Sequence, residues 1–341
     1  MKIIVTGTAG FIGNNLALRL LKDGHEVSGI DAVTDYYDVQ LKRDRLARLK
    51  AFDAYINHEI RLEDMDAMQS AFDEFEPDHV VHLAGQAGVR YSLNHPRTYV
   101  DTNVMGGFNV IELSKQHKVK HLIIASTSSA YGANDVYPFK ENDRAAFPLT
   151  IYAATKQASE LIAHSHSHLF DIPTTILRFF TVYGPWGRPD MAFFMFTKAI
   201  FENQSIDVFN HGKMMRDFTY VDDLTEAINL LIKTPPVKGQ PVTDVEDSLS
   251  PVAPYRIVNI GNANPVQLMD FIQEIEKNVG VSAKMNMMDM QPGDVTKTFA
   301  NADLLQSLTG YKPSVDVEEG VKAFVDWYRE YYSVGLNTAQ P

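Results

Sequence analysis

Residues 1–13 read MKIIVTGTAGFIG: an apolar run over 2–6, then glycines at 7, 10 and 13. The run has strand composition, and the glycines open a helical period over 10–22 that Gly24 closes as a left-handed C′ residue. Strand, glycine turn and helix in that order let backbone approach a pyrophosphate and aim the helix's first N–H groups at it. Three glycines alone would also suit a helix packed tightly on a strand. Asp31 adds weight: it ends the second apolar run, 26–31, eighteen residues after Gly13. A carboxylate there accepts hydrogen bonds from an adenosine ribose and repels a 2′-phosphate, so the expected cofactor is NAD and not NADP.

Outward from this turn, apolar runs at 79–83 and 121–126 alternate with helical periods at 64–75, 103–117 and 149–170. Continuous Val/Ile/Leu strands between helices imply an α/β fold: a doubly wound parallel sheet, Rossmann-like, over 1–180. A strand at 174–179 follows Pro173, and then Gly184, Pro185, Gly187 and Pro189 break regularity. A smaller C-terminal α/β domain is expected over 181–332, with the chain returning to the first domain near 210–233 and 256–262. Its elements are a strand at 206–209, a helix at 222–233 capped by Asp222 and Asp223, a polar loop at 234–254 and a strand at 256–260. Asn264 and Pro265 read as N-cap and first residue of a helix to 279, and 317–332 as an amphipathic helix. Residues 333–341 read as a flexible tail.

The 341 residues carry 31 Lys plus Arg against 43 Asp plus Glu, a formal charge of −12, so a nucleic-acid backbone is repelled overall. Without cysteine there is no disulfide, thiolate nucleophile or Cys-based metal site. No apolar run approaches the roughly 18 residues that span a bilayer, and no basic-then-apolar leader opens the chain; the expectation is a soluble cytoplasmic protein with no membrane partner. His164 and His168 lack a third ligand for zinc and read, with His166, as an exposed or interface face. Lys42, Arg43 and Arg45 read as a solvated helix, Arg61, Glu63 and Asp64 as solvated charge, and Met285, Met287, Met288 and Met290 as core-filling strand residues.

Tyr152 and Lys156 lie four apart on one helical period and so share a face. Bringing a phenol from a pKa of about 10 to near 7 takes roughly 4 kcal/mol of phenolate stabilisation, which a lysine ammonium and a nicotinamide cation can share. The pair alone would pass as surface decoration. Hydroxyls at 126–129 (STSS), ending the strand before it, face the crevice of a doubly wound sheet and favour a reactive site.

With these residues the chain resembles the extended short-chain dehydrogenase/reductases that act on nucleotide sugars. The resemblance runs through TGTAGFIG, HLAGQAGVRYS from His82, ASTSSAYG from Ala125, YAATK from Tyr152, RFFTVYGPWGRPDMA from Arg178, RDFTYVDD from Arg216, NIGNANPVQLMDFI from Asn259 and QPGDV from Gln291. Within that group the wording, DYYDVQLKR from Asp35 included, is most similar to UDP-glucuronate 4-epimerases. The resemblance implies bound NAD, Tyr152 as base, Lys156 as its electrostatic partner and Thr127 as the hydroxyl that orients the sugar O4. It also implies Gly7, Gly10, Phe11, Ile12 and Gly13 at the pyrophosphate, Asp31 at the ribose, Glu59 and Ile60 beside adenine, and Leu83, Ala84 and Gly85 along the cofactor cleft. On the UDP side it implies Arg216 at the diphosphate, Asp294 at the uridine ribose, Phe209 against uracil, and a homodimer through the 103–117 and 149–170 helices. Three departures stand out: Glu59 where relatives often have Asp, Gly85 where many have Ala, and Gln291 where many have Arg, which shifts phosphate binding toward Arg216.

A 4-keto uronic acid is a β-keto acid and loses carbon dioxide readily, so a 4-epimerase of such a sugar must keep its carboxylate ionised and hydrogen-bonded. Thr127, Ser128, Ser129, Thr181 and Arg188 supply suitable donors. Related decarboxylases and dehydratases resemble this strand end but carry Glu where Ser129 stands, and the dehydratases also Asp where Ser128 stands. A neutral UDP-sugar 4-epimerase, a UDP-glucuronate decarboxylase and a non-catalytic dinucleotide sensor remain the competing expectations.

Overall fold

The computed structural model describes residues 1–291 and 293–334. Among the described residues twelve strands run in chain order as β1 (Lys2–Thr6), β2 (Glu26–Ile30), β3 (Tyr55–His58), β4 (His79–His82), β5 (His121–Thr127), β6 (Thr174–Phe179), β7 (Thr181–Tyr183), β8 (Ser205–Phe209), β9 (Met215–Tyr220), β10 (Tyr255–Ile260), β11 (Pro265–Gln267) and β12 (Lys284–Met288). Seven of them form one parallel sheet in the order β10-β6-β5-β4-β1-β2-β3. Strand order reverses between β1 and β4, the point at which a crevice opens at the carboxyl ends of a doubly wound sheet.

Side chains of the central strands alternate between two apolar layers, as a sheet covered on both faces requires. Ile3 and Val5 join Leu16 and Leu20 of the Phe11–Lys22 helix on one side; Ile4 joins Val80, Val110 and Ile124 on the other. After β6 the chain leaves this sheet, returns to it as β10 beside β6, and builds two small sheets, β11-β9-β7 and β12-β8.

Several expectations are corrected by this arrangement. Lys42 and Arg45 are buried and not solvated, although Arg43 is exposed. The Val39–Lys50 helix turns Lys42 onto the Thr34 carbonyl and Arg45 onto the carbonyls of Ala9, Trp186 and Gly187. Asn264 and Pro265 do not start a helix: Pro265–Gln267 adds as an edge strand to β9, a place where proline's missing N–H costs no ladder bond, and the helix is Leu268–Val279. Met285, Met287 and Met288 lie on β12 and Met285 packs against the main core, but Met290 follows the strand and Met287 and Met290 are exposed, so the four do not fill a core together. Asp222 and Asp223 lie in the first turn of Val221–Ile232 and do not cap it; Asp223 instead accepts from Ser314 N (2.9 Å), Val315 N (2.8 Å) and the Tyr311 hydroxyl. Asp64 is the N-cap of Met65–Phe75, and Glu63 accepts from Thr102. His164 and His168 hydrogen-bond Ser250 Oγ and the Val252 carbonyl. Of the tail expected at 333–341, 335–341 lie outside the described residues, as does Pro292 of the QPGDV stretch.

Candidate active site

A cavity of about 1220 Å³ lies over the carboxyl ends of β1, β2, β4, β5 and β6, with the β8 and β9 region as its far wall. Its glycine end is fixed by close backbone contact. Gly7 has φ +84°, and a Cβ there would lie 2.9 Å from Ala84 N; a Cβ on Gly13 would lie 2.1 Å from the Gly7 carbonyl oxygen. Only glycines let this turn fold against the helix behind it. Gly10 is the N-cap of Phe11–Lys22 and has no side-chain cap, so the first-turn N–H groups keep their positive end toward the cavity. Asp31 follows β2 and accepts from Ala9 N (3.0 Å) and Val33 N (2.8 Å); burial pushes its carboxyl up and these two bonds pull it down. Its oxygens retain lone pairs for further donors. An uncapped helix start beside a glycine cradle and a backbone-anchored carboxylate fits a dinucleotide.

Gly7, Gly10, Phe11, Ile12, Gly13, Asp31 and Ile60 all line this end, and Leu83, Ala84 and Gly85 continue it along the end of β4. Glu59, expected beside adenine, is not on the cavity wall: it forks onto Arg43 (Nη2–Oε1 2.7 Å) at the surface, because β3 is the sheet edge and its end meets the neighbouring helix. The missing side chain at Gly85 leaves room for two neighbours: a Cβ there would sit 2.9 Å from Asn103 Oδ1 and 4.0 Å from Lys156 Nζ.

The Ile151–Phe170 helix starts at Thr150, whose side chain accepts from Ala153 N, and places Tyr152 in its first turn with Lys156 and Glu160 below it on one face. Tyr152 and Lys156 both line the cavity. Burial pushes the Tyr152 phenol up, while the Thr127 hydroxyl and the Arg188 guanidinium pull it down. Burial lowers the Lys156 ammonium to about 8, with Glu160 opposing the shift. Thr127 ends β5 and accepts from Ser129 N (3.1 Å), which fixes its side chain at the head of the turn that carries Ser128 and Ser129 into the cavity wall. Thr181 and Arg188 complete this wall. Arg188 does not stand alone: Asp190 takes its Nε (3.0 Å) and Nη2 (2.6 Å) in a fork.

At the far end the cavity is walled by Phe209, Arg216 and Asp294. Burial lowers the Arg216 guanidinium from its ordinary value, and the charge of Asp294 opposes that shift. Arg90 was missed in the sequence although it lies within HLAGQAGVRYS: its guanidinium sits 4.2 Å over the Phe209 ring and pairs with Asp294 at 3.1 Å. Tyr36, Arg45 and Asp190 were missed likewise. Their signal is tertiary: Tyr36 meets Asp190 across 154 positions, Arg45 meets the Trp186 carbonyl across 141, and Asp190, although it forks onto nearby Arg188, takes its own anchor from Tyr36.

A sequence model of the NAD dependent epimerase/dehydratase family matches residues 3–260. The chain is 53% identical over 334 residues to a probable UDP-glucuronate 4-epimerase of Rhizobium meliloti, covering 97% of this chain and 98% of that protein. It is 52% identical to the protein CapI of Staphylococcus aureus over 97% of this chain and 99% of the other. Among solved structures, the UDP-glucuronic acid 4-epimerase of Bacillus cereus in complex with UDP-glucuronic acid and NAD superposes with a TM-score of 0.87 at 32% identity, covering 97% of this chain and all of that one.

Proposed function

Because the chain belongs to the NAD dependent epimerase/dehydratase family, we propose that it is an NAD-dependent UDP-glucuronate 4-epimerase, an isomerase giving UDP-galacturonate. The single observation that carries the reading is the meeting, in one cavity, of a dinucleotide cradle, the Thr127, Tyr152 and Lys156 set, and a wall of hydroxyls ending in a guanidinium.

When bound, NAD supplies the hydride acceptor and donor for C4 of the sugar. Tyr152 takes the O4 proton as hydride leaves C4, and gives it back when the hydride returns to the other face. Lys156 stabilises the phenolate, and its deep burial strengthens that attraction. Thr127 orients O4. Ser128, Ser129, Thr181 and Arg188 hold the C5 carboxylate ionised and hydrogen-bonded, so that the 4-keto sugar keeps its carbon dioxide while it turns over. Ser128 and Ser129 place no carboxylate against the substrate acid, which separates this site from the decarboxylase and dehydratase alternatives. Arg216 and Asp294, with Phe209, grip the UDP half and leave the sugar free to rotate. In this reading residues 1–180, with the returns near 210–233 and 256–262, serve the cofactor and 181–332 mainly the UDP-sugar.

A homodimer fits the exposed apolar face on the two helices expected to pair: Leu161 and Leu169 leave 71% and 68% of their surface open, and Phe108 lies exposed on Gly107–Gln116. No helix among the described residues is long and apolar enough to cross a membrane. A cytoplasmic setting agrees with a cysteine-free sequence.

The test is incubation of purified enzyme with UDP-glucuronate, followed by proton NMR. Galacturonate signals are expected. Pentose signals would make it a decarboxylase, conversion of UDP-glucose alone a neutral-sugar epimerase, and cofactor binding without any turnover a sensor.

A further inference from the structure

We propose that Tyr36 and Asp190 are positioning residues that hold the Arg188 guanidinium aimed into the cavity and so set the preference for a sugar bearing a carboxylate. The proposal rests on the UDP-glucuronate reading above.

Asp190 engages Arg188 through two parallel bonds, Nε to Oδ1 and Nη2 to Oδ2, which fixes the plane of the guanidinium. Nη1 keeps its donors without a partner among the described residues, on a side chain that lines the cavity and remains 21% exposed. The carboxylate is itself anchored. The Tyr36 hydroxyl, from the loop after β2, donates to Asp190 Oδ2 at 3.0 Å across 154 positions of sequence. Tyr36 is wedged by its neighbours: its ring meets Tyr91 edge-on at 4.7 Å, and a Cβ on Gly88 would lie 2.4 Å from its hydroxyl oxygen.

The backbone just before Arg188 has a separate anchor. Arg45 Nη2 donates to the carbonyls of Trp186 (2.6 Å) and Gly187 (2.9 Å), while its Nη1 reaches the Ala9 carbonyl in the glycine turn (3.0 Å). The residue that meets a carboxylate is thus held by main chain on one side and by side chain on the other, both from the cofactor half of the cavity.

This anchoring has two physical effects. An unrestrained arginine loses much rotamer freedom on gripping a ligand, and the fork with Asp190 has already taken that loss. A half-buried cation without a counter-ion would also be costly before substrate arrives, and Asp190 neutralises it. Only a ligand with a carboxylate gains from the free Nη1 edge, whereas a hydroxymethyl group in its place gains little.

The experiment uses the NAD-loaded enzyme and the variants Tyr36→Phe and Asp190→Asn, titrated calorimetrically with UDP-glucuronate, UDP-glucose and UDP. Loss of the fork is expected to weaken UDP-glucuronate about tenfold in Asp190→Asn and about threefold in Tyr36→Phe, while UDP-glucose and UDP hold their affinities. In turnover the KM for UDP-glucuronate should carry more of the change than kcat. Equal weakening of all three ligands, or an unchanged ratio of UDP-glucuronate to UDP-glucose in both variants, overturns the proposal. If wild-type enzyme turns over UDP-glucuronate and the ratio stays fixed, the positioning role alone is wrong; if wild-type enzyme does not turn it over, the functional reading falls and the proposal with it.

Discussion

Glu160 and Arg178 form a buried ion pair behind the helix that carries Tyr152 and Lys156, Nη2 to Oε2 at 2.8 Å, with side chains only 8% and 4% exposed. Arg178 Nε and the Ser126 hydroxyl both donate to the other Glu160 oxygen. Glu160 therefore ties the helix of Tyr152 and Lys156 to β5 and β6, and its hydrogen bonds are made there and not to Lys156. Its field still reaches Lys156 one turn away and helps keep that ammonium charged.

Breaking this pair should cost stability before it costs chemistry. Arg178→Met leaves a buried carboxylate without a counter-ion, and the expected loss is about 3 to 5 kcal/mol. Adding Glu160→Gln should recover part of it. Urea denaturation midpoints of the single and double variants check this; equal midpoints for wild type and Arg178→Met would refute it.

Tyr152→Phe removes the hydroxyl that the proposed mechanism uses as proton acceptor and keeps the ring. Turnover of UDP-glucuronate should fall roughly 10²- to 10⁴-fold, the range of general acid–base catalysis, with NAD affinity preserved. Initial rates by coupled assay, with calorimetric NAD titration alongside, separate the two effects.

Lys156 carries a pH signature. Its ammonium is lowered to about 8 in the folded cofactor-free protein, against about 10.5 when exposed. Between those values the unfolded chain binds the extra proton, so stability rises with pH across that window: the cost of burying the charge is full below pH 8 and relieved toward 10.5. Lys156→Met should be more stable than wild type at pH 7, and the gap should narrow on going to pH 10. Thermal melts of both proteins without cofactor at the two pH values test the sign.

Gly13→Ala forces a methyl to within 2.1 Å of the Gly7 carbonyl, so the turn must open. NAD binding should be lost, with a stability cost of about 1 to 3 kcal/mol. Gly24→Ala is the control: φ is +82° there but nothing lies within 4 Å, so about 1 kcal/mol of stability should go while NAD binding stays. Calorimetric NAD titrations of the two variants should diverge.

How much of this was legible depends on where each residue finds its partner. The β1, turn and helix series was readable because its signals are local: an apolar run, glycines at backbone contacts, a helical period. The four-residue spacing of Tyr152 and Lys156 places them on one face whatever surrounds the helix. The strand Tyr55–His58 was not readable, since only Tyr55 is buried on this sheet edge, Ile56 lies exposed, and Asn57 and His58 cut the apolar run short. Residues 264–267 carried a good helix start and became strand because β9 offered an antiparallel partner.

The sequence by itself determined the doubly wound sheet, the glycine turn and the shared helix face of Tyr152 and Lys156, all of them written in periods of a few residues that each segment obeys alone. Tertiary structure decided that Arg45 is an interior brace, that Glu59 turns out to Arg43, and that Tyr36 meets Asp190 from 154 positions away. The physical reason is that a charged or phenolic side chain is indifferent to its sequence neighbours when no partner lies within a turn or two. Its burial becomes favourable only when the fold delivers a carbonyl, carboxylate or ring from elsewhere in the chain.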